Sequence, residues 1–180
     1  MKKLITVLCL SSLPLLAHAA EFSLKSADFA DNGVMKKALG GNDKHNLSCS
    51  GENISPALNW SNPPAGTQSY VLLLTDPAGA KGLGVTHMLA YNIEATRKAF
   101  QQGELSKGGI FSYGTNTPGT QSYYGPCPPA GAGYHHYNFV MVATDLAKDS
   151  LPAGLTHTEL VAKMKGHTLG SASLIGRLSN

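Results

Sequence analysis

The chain has 180 residues, of which 42% are hydrophobic and 14% are charged, and its 14 Lys and Arg nearly balance 11 Asp and Glu. This composition is typical of a folded globular protein, and the length suits one domain with a substantial core. The small charge excess, without a cluster of basic residues, excludes the electrostatic footprint of a nucleic-acid-binding protein and of a protein that binds anionic membranes through basic runs.

Residues 1–19 are predicted to be a signal peptide that is removed on export. "MKK" supplies the positive charge, "LITVLCLSSLPLL" is the apolar core, and "AHA" carries small residues where a signal peptidase reads, so we expect cleavage before Ala20. A short membrane anchor is the alternative, although no stop-transfer pattern follows. We therefore expect a periplasmic or secreted protein with one domain over residues 20–180 and no transmembrane segment after leader removal.

Two cysteines remain in the predicted mature chain, because Cys9 leaves with the leader. In an oxidising compartment, Cys49 and Cys127 predict one disulfide. The bridge would close a loop of 127 − 49 = 78 residues, which the chain-entropy model values at roughly 4–5 kcal/mol. Two free buried thiols and an incomplete metal site are the alternatives, but neither cysteine has a CxxC companion.

Apolar, β-prone runs predict strands over residues 57–60, 69–76, 86–93 and 137–144. The run "SYVLLLTD" is apolar without interruption, which is typical of a strand buried between two layers. Turn-forming clusters such as "SNPPAG", "DPAGAKGLG" and "TNTPGT" separate these runs. The pattern indicates a β-rich protein.

Two segments show a helical pattern. "EATRKAFQQ", beginning at Glu94, is short, and a stronger pattern covers residues 155–166. In the second segment Thr156 and Glu159 have the spacing of a capping box, and Gly166 can end the helix. The predicted fold class is therefore mainly β, a two-layer sandwich with one or two short peripheral helices.

Polar side chains stand at the ends of three predicted core strands. Asp76 ends one strand, His87 begins the next, and His135 follows the stiff loop "YYGPCPPAGAG" and begins the last. Loops at one end of a sandwich can form the mouth of a pocket, so we expect these side chains to meet. The alternative is that each histidine caps a strand edge and faces water.

The segments "CSGENISPALNW", "LLLTDPAGA", "THMLAYNI" and "YYGPCPPAGAGYHHYNF" together resemble the phosphatidylethanolamine-binding protein family, in its bacterial branch often described as Raf-kinase-inhibitor-like. The resemblance extends from Cys49 to the C-terminal "LGSASLIGRL". It implies a two-sheet Greek-key β-sandwich with a small anion-binding pocket at one end.

The resemblance also implies site residues, with some departures from the family pattern. Asp76 and Pro77 match the start of an Asp-Pro-Asp-Ala-Pro motif, in which Ala78 replaces the second acid and Ala80 the last proline. The second pocket histidine falls on His87. The tryptophan that is common just before it is a threonine here.

Two further family motifs fall on the proline-rich loop and the strand after it. The Gly-x-x-Pro-Pro loop matches Gly125, Pro128 and Pro129, and the His-Arg-Tyr signature reads "HHY" from His135. His136 stands in place of the arginine, and strand alternation directs it to the face opposite His135. The implied ligand-binding residues are Asp76, His87, Gly125, Pro128, His135 and Tyr137.

This set of residues suits a small phosphate- or carboxylate-bearing ligand. Two imidazoles and loop N–H groups can donate to its oxygens, while Asp76 would hold a histidine N–H and fix its tautomer. Tyr137 could add a donor or simply pack on the strand. The remaining histidines of the predicted mature chain, His45, His157 and His167, are expected on the surface.

The sequence favours a binding protein over an enzyme, without cofactor or metal and as a monomer or weak homodimer. One alternative is an inhibitor of a protease or of another protein partner. Another is a metal-dependent enzyme with zinc or iron on Asp76, His87 and His135, although no HExxH-type spacing is present. Hydrolysis by a nucleophile is disfavoured, since Ser55 lies in no GxSxG motif and Cys127 is predicted to be oxidised.

Overall fold

A computed structural model describes residues 20–180, so the predicted signal peptide lies outside the described residues. In chain order the strands are β1 Ser23–Ser26, β2 Gly33–Val34, β3 Leu58–Ser61, β4 Ser69–Asp76, β5 Val85–Glu94, β6 Ala99–Phe100, β7 Ser112–Tyr113, β8 His135–Thr144 and β9 Thr168–Leu178. The helical segments are a 3₁₀ helix at Lys37–Leu39, a short turn α1 at Gly79–Gly82 whose two central residues are not in helical conformation, and the α-helices α2 Glu104–Lys107 and α3 His157–Met164.

The strands form two sheets. The smaller sheet has the order β1-β3-β6, and the larger has the order β2-β9-β8-β4-β5-β7. Neighbours are antiparallel except β2 and β9, which are parallel. Because β4 is antiparallel to both β5 and β8, its end lies beside their beginnings, with Asp76 opposite Val85 and Thr75 opposite Asn138.

The main core lies between the two sheets. In β3, Leu58 and Trp60 point inward while the alternate residues are exposed, as expected for a strand with one buried face. The Trp60 ring contacts Tyr70 of β4 and Phe100 of β6, each at a centroid distance of 5.5 Å. The Trp60–Tyr70 contact joins the smaller sheet to the larger one, and the Trp60–Phe100 contact lies within the smaller sheet.

A second apolar cluster covers the other face of the larger sheet. Val71 and Leu89 from the sheet pack there with Leu155, Leu160 and Met164 from α3 and the segment before it. The larger sheet is therefore covered on both faces. This explains the uninterrupted apolar run in β4, since alternate residues of the strand enter different clusters.

The predicted fold class is confirmed: the protein is mainly β, with two sheets and few short helices. The strand predicted over residues 69–76 is β4, Ser69–Asp76, with the predicted bounds. The strand predicted from residue 137 begins earlier, at His135, because His135 and His136 already pair with β9. The helix predicted after residue 155 is α3, with both hydrogen bonds of the Thr156–Glu159 capping box present.

The helix predicted from Glu94 is wrong. Glu94 is the last residue of β5, and a turn closed by a hydrogen bond from the Arg97 N–H to the Glu94 carbonyl follows it. The chain then forms β6, in which Ala99 pairs with Asn59 and Phe100 enters the core. Burial of Phe100 between the sheets outweighs the moderate helical propensity of the segment.

The packing of α3 on the larger sheet gives a stability prediction. We expect Leu160→Ala to lower the free energy of unfolding by about 2–5 kcal/mol, because Leu160 is fully buried in the second cluster. Urea unfolding followed by circular dichroism measures the change. Val161→Ala, at the next and 44% exposed position, is the matched control and should change stability by less than about 1 kcal/mol. Equal effects of both substitutions would contradict this packing.

Candidate ligand-binding site

A cavity of about 560 Å³ opens at the end of the larger sheet where β4 ends and β5 and β8 begin. Its walls come from these strand ends, from the loops between them and from the segment between β2 and β3. The lining residues are Asn46, Ser48, Asp76, Ala78, Gly79, Ala80, Lys81, Val85, His87, Thr117, Pro118, Tyr124, Cys127, Pro129, Ala132 and His135.

Asp76 and His135 form a buried hydrogen-bonded pair across the ends of β4 and β8. The His135 Nδ1–H donates to Asp76 Oδ2 at 2.6 Å, and both residues are less than a tenth exposed. Asp76 Oδ1 accepts the backbone N–H groups of Ala78 and Gly79 at 3.0 and 3.1 Å. Both carboxylate oxygens therefore have partners, and a charge-assisted bond fixes the His135 ring.

His87 is oriented by the backbone of the neighbouring loop. Its Nδ1 lies 2.8 Å from the Tyr124 carbonyl oxygen, which can only accept, so the hydrogen is on Nδ1. Burial lowers the pKa of His87, and this effect exceeds the opposing contributions of the Tyr124 and Gly125 backbone groups and of the Asp76 charge. The neutral imidazole with Nδ1–H is thus the stable form at neutral pH.

Tyr137 lies between the two histidines and is fully buried. Its ring centroid is 5.3 Å from that of His87 and 6.5 Å from that of His135. Its hydroxyl has no hydrogen-bond partner among residues 20–180, and burial raises the pKa of the phenol. The buried Tyr137 ring therefore packs against both imidazoles.

The loop between β4 and β5 has an unusual backbone. Ala80 and Lys81 have φ of 50° and 59°, in the left-handed region that favours glycine. A proline ring fixes φ near −65°, so the family's proline cannot occupy position 80 in this loop conformation. The loop places Lys81 on the cavity wall. Among the described lining residues, Lys81 is the one lysine or arginine.

The opposite wall is held by a disulfide and by close backbone packing. Cys49 and Cys127 are joined, as predicted, and Cys127 lines the cavity. The Gly125 N–H donates to Asn53 Oδ1 at 2.8 Å, and the Gly41 N–H donates to the Pro126 carbonyl at 2.8 Å. A Cβ on Gly125 would lie 2.7 Å from the Gly41 nitrogen. Gly125 therefore permits close approach of the two loops.

The side chain of Asn180 also joins these two loops. Its Nδ2 donates to the carbonyls of Ser48 at 2.5 Å and Pro128 at 2.8 Å. Its Oδ1 accepts the Ser50 hydroxyl at 2.7 Å. The segments on both sides of the disulfide are thus fixed to the end of the chain.

The structure brings Asp76, His87 and His135 together around one cavity, as the sequence predicted they would meet. Gly125, Pro128 and Tyr137 are not among the lining residues, although the Tyr137 ring packs against both histidine rings. Sequence reasoning missed two lining residues of interest, Lys81 and Tyr124. A lysine inside the glycine-rich loop between Asp76 and His87 was the available signal for Lys81. Tyr124 orients His87 through its backbone carbonyl group. Because every residue has such a group, the identity of residue 124 could not predict this contact.

The other histidines lie outside the cavity lining. His136 is exposed, as strand alternation predicted, and so are His45, His157 and His167. Within residues 20–180, no three His, Cys, Asp or Glu side chains are grouped so that they could hold a metal ion. No helix in that same part of the chain is long and apolar enough to cross a membrane.

Comparison with known sequences gives a family match and several relatives. The profile of the family described as phosphatidylethanolamine-binding protein matches residues 25–179. A UPF0098 protein of Methanothermobacter thermautotrophicus is 37% identical over 159 residues, covering 86% of this chain and 96% of the relative. A Mycobacterium tuberculosis protein named as a candidate lipoprotein, LppC, is 36% identical over 130 residues, covering 72% of this chain and 62% of the relative.

Solved structures give the same assignment. Escherichia coli YBCL, described as a new member of the mammalian PEBP family, has a TM-score of 0.80 and 25% identity, covering 89% of this chain and 99% of that chain. A Chlamydia trachomatis protein described as a candidate PEBP homologue has a TM-score of 0.76 and 28% identity, covering 88% of this chain and 97% of that chain.

The Asp76–His135 bond gives a prediction about a tautomer. In Asp76→Asn the amide oxygen can still accept the Ala78 and Gly79 N–H groups, so the amide NH₂ faces His135 Nδ1. We expect His135 to change from the Nδ1–H to the Nε2–H tautomer, with a stability loss of about 1–3 kcal/mol. Long-range ¹H–¹⁵N correlation spectra of the imidazole nitrogens report the tautomer.

A second Asp–His pair of the same chain provides the control. Asp145 Oδ1 and His167 Nδ1 are 2.8 Å apart, but both side chains are more than two fifths exposed. Because solvent competes for this pair, Asp145→Asn should change stability by less than about 1 kcal/mol. An unchanged Nδ1–H signature of His135 in Asp76→Asn would disprove the assigned hydrogen bond.

Proposed function

The chain belongs to the phosphatidylethanolamine-binding protein family, and we propose that it binds a small anionic group, preferably a phosphate, between Asp76, His87 and His135. The observation that carries this proposal is the convergence of two imidazoles from different strands on one cavity. Both rings contact the same buried Tyr137 ring, and Asp76 holds one of them through Nδ1. A concave site with a few oriented polar groups is the usual form of a small-ligand site.

The charges around the cavity support an anionic ligand. The Asp76 carboxylate accepts hydrogen bonds from the His135 ring and from two backbone N–H groups, so both of its oxygens already have partners within the protein. Lys81 adds a positive charge to the wall. The hydroxyl groups of Ser48 and Thr117 lie in the same lining and can donate to ligand oxygens.

The volume of the cavity suits a ligand of headgroup size. At about 560 Å³ it lies within the range of small-molecule sites, roughly 300–1,000 Å³. The apolar part of the wall comes from residues such as Pro118, Pro129 and Val85. A phosphate would contact the imidazoles and Lys81, while its organic substituent would contact this apolar wall.

We also propose that the protein works outside the cytoplasm. The predicted signal peptide and the Cys49–Cys127 disulfide both support export. The M. tuberculosis relative named as a candidate lipoprotein agrees with such a location. A regulatory or inhibitory role towards a protein partner and a monomeric or weakly dimeric state stay predictions.

The proposed role of the histidines can be tested with isosteric substitutions. The amide of asparagine can replace the Nδ1–H donor, while the Nε2 atom is lost. We expect the His87→Asn/His135→Asn double variant to bind phosphoethanolamine at least about tenfold more weakly than the unmodified protein, as measured by calorimetry. His136→Asn, next to His135 but exposed, is the matched control. Unchanged affinity of the double variant would remove the proposed function.

The disulfide gives a second test of the site. Reduction should lower the free energy of unfolding by up to roughly 4 kcal/mol and should also weaken phosphoethanolamine binding, because Cys127 lines the cavity. Unfolding and calorimetry in the presence and absence of a thiol reductant measure both effects. The Cys49→Ala/Cys127→Ala variant should show no further response to the reductant. A reduced protein with native affinity would contradict the role of this wall.

A further inference from the structure

The hydrogen-bonding direction of the two imidazoles has a consequence for the ligand. Both Nδ1 atoms are already committed, to the Tyr124 carbonyl at 2.8 Å and to the Asp76 carboxylate at 2.6 Å. Both of these partners accept hydrogen bonds, so each Nδ1 carries a hydrogen. A neutral imidazole has one N–H group, and its other nitrogen then presents a lone pair. His87 and His135, when neutral, therefore offer acceptors at Nε2.

No hydrogen bond from residues 20–180 reaches either Nε2 atom, and neither atom is among the fully buried unpartnered ones. Both residues line the cavity and their Nδ1 atoms already have partners, so the Nε2 atoms are the ring nitrogens that can bind a ligand. A fully ionised oxyanion has only acceptor oxygens. An acceptor facing an acceptor repels, so such an anion cannot bind these nitrogens unless a proton lies between them.

From this arrangement we propose that the cavity binds its oxyanion together with a proton, and that it therefore selects phosphates with an ionisable hydroxyl over phosphodiesters. The inference rests on the proposed function and adds the ligand class: phosphomonoesters or inorganic phosphate. In the bound state the P–OH donates to His87 Nε2, or the proton resides on Nε2 and P–O⁻ accepts it. The two descriptions contain the same atoms and the same total charge.

The surroundings of His87 favour delivery of the proton by the ligand. Burial lowers the pKa of His87, so its imidazole does not hold a second proton at neutral pH without a ligand. The titratable and charged groups that face the two imidazoles, directly or through Tyr124, are Asp43, Asp76, Lys81, Tyr124 and Tyr137. Of these, Lys81 can neutralise the remaining charge of a bound phosphate.

The experiment is calorimetry with methyl phosphate at pH 7.5 in two buffers of different ionisation enthalpy. The second pKa of a phosphomonoester is about 6, so the free ligand is mostly a dianion at this pH. We expect uptake of at least one proton per bound ligand and, between pH 7 and 8.5, a loss of affinity of about tenfold per pH unit. Dimethyl phosphate, the headgroup-like diester without a P–OH, should bind at least tenfold more weakly at pH 7.5.

A pair of variants separates the proton from the structural role of His87. Glutamine places an amide near the Nε2 position, so His87→Gln supplies an N–H that does not titrate. We expect its proton uptake to be about one lower than that of the unmodified protein and its affinity to depend less on pH. His87→Asn keeps the Nδ1-type donor and should lose affinity, while the exposed His136→Gln should leave uptake and affinity unchanged.

The outcomes distinguish this inference from the proposed function. Binding of methyl phosphate without proton uptake, or equal affinity for dimethyl phosphate at pH 7.5, would overturn the inference but leave the proposed function in place if the double asparagine variant loses binding. No binding of methyl phosphate, dimethyl phosphate or phosphoethanolamine between pH 5.5 and 8.5 would overturn both.

Discussion

The carboxylate of Asp76 organises the candidate site because it connects three parts of the chain that approach it from different directions. One oxygen accepts a hydrogen bond from the His135 Nδ1–H, which connects the end of β4 to the beginning of β8. The other accepts two backbone N–H groups and so begins the loop that carries Lys81. A buried carboxylate without these partners would cost several kcal/mol, so strand ends, loop and ring orientation depend on one another.

The register of the larger sheet, which is set by backbone pairing, places these groups close together. β4 is antiparallel to both β5 and β8, so the end of one strand and the beginnings of two others meet at one edge. His87 and His135 are 48 positions apart in the sequence, yet both contact Tyr137. The disulfide and Asn180 then fix the wall across the cavity. Sheet register sets the position of the site, and the loops set its shape.

Much of this arrangement could be predicted from sequence, because it follows from strand periodicity. The apolar run 69–76 determined where Asp76 would lie, and the positions of His87 and His135 before apolar runs placed them at strand ends. The segment from Glu94 was misjudged because Phe100 gains more from the core between the sheets than its neighbours gain from a helical turn. Local propensity carries no information about that distant contact.

The features that sequence could not reveal are backbone features. The left-handed conformation of Ala80 and Lys81 could not be predicted from their residue types, because neither alanine nor lysine favours it. The tautomer of His87 is set by the Tyr124 carbonyl, a group that every residue possesses. Both depend on where the loops lie after the sheets have formed.

Several costly features are concentrated at this one cavity. Ala80 and Lys81 each hold a strained φ, which costs of order 1–3 kcal/mol, and the buried Tyr137 hydroxyl has no partner among the described residues. His87 and His135 are polar side chains that are less than a tenth exposed, and their burial has a desolvation cost. Apolar side chains in place of the two histidines and Tyr137 would avoid their desolvation costs. The concentration of these features around the cavity lined by His87, His135 and Lys81 is the pattern expected of a site shaped for a ligand.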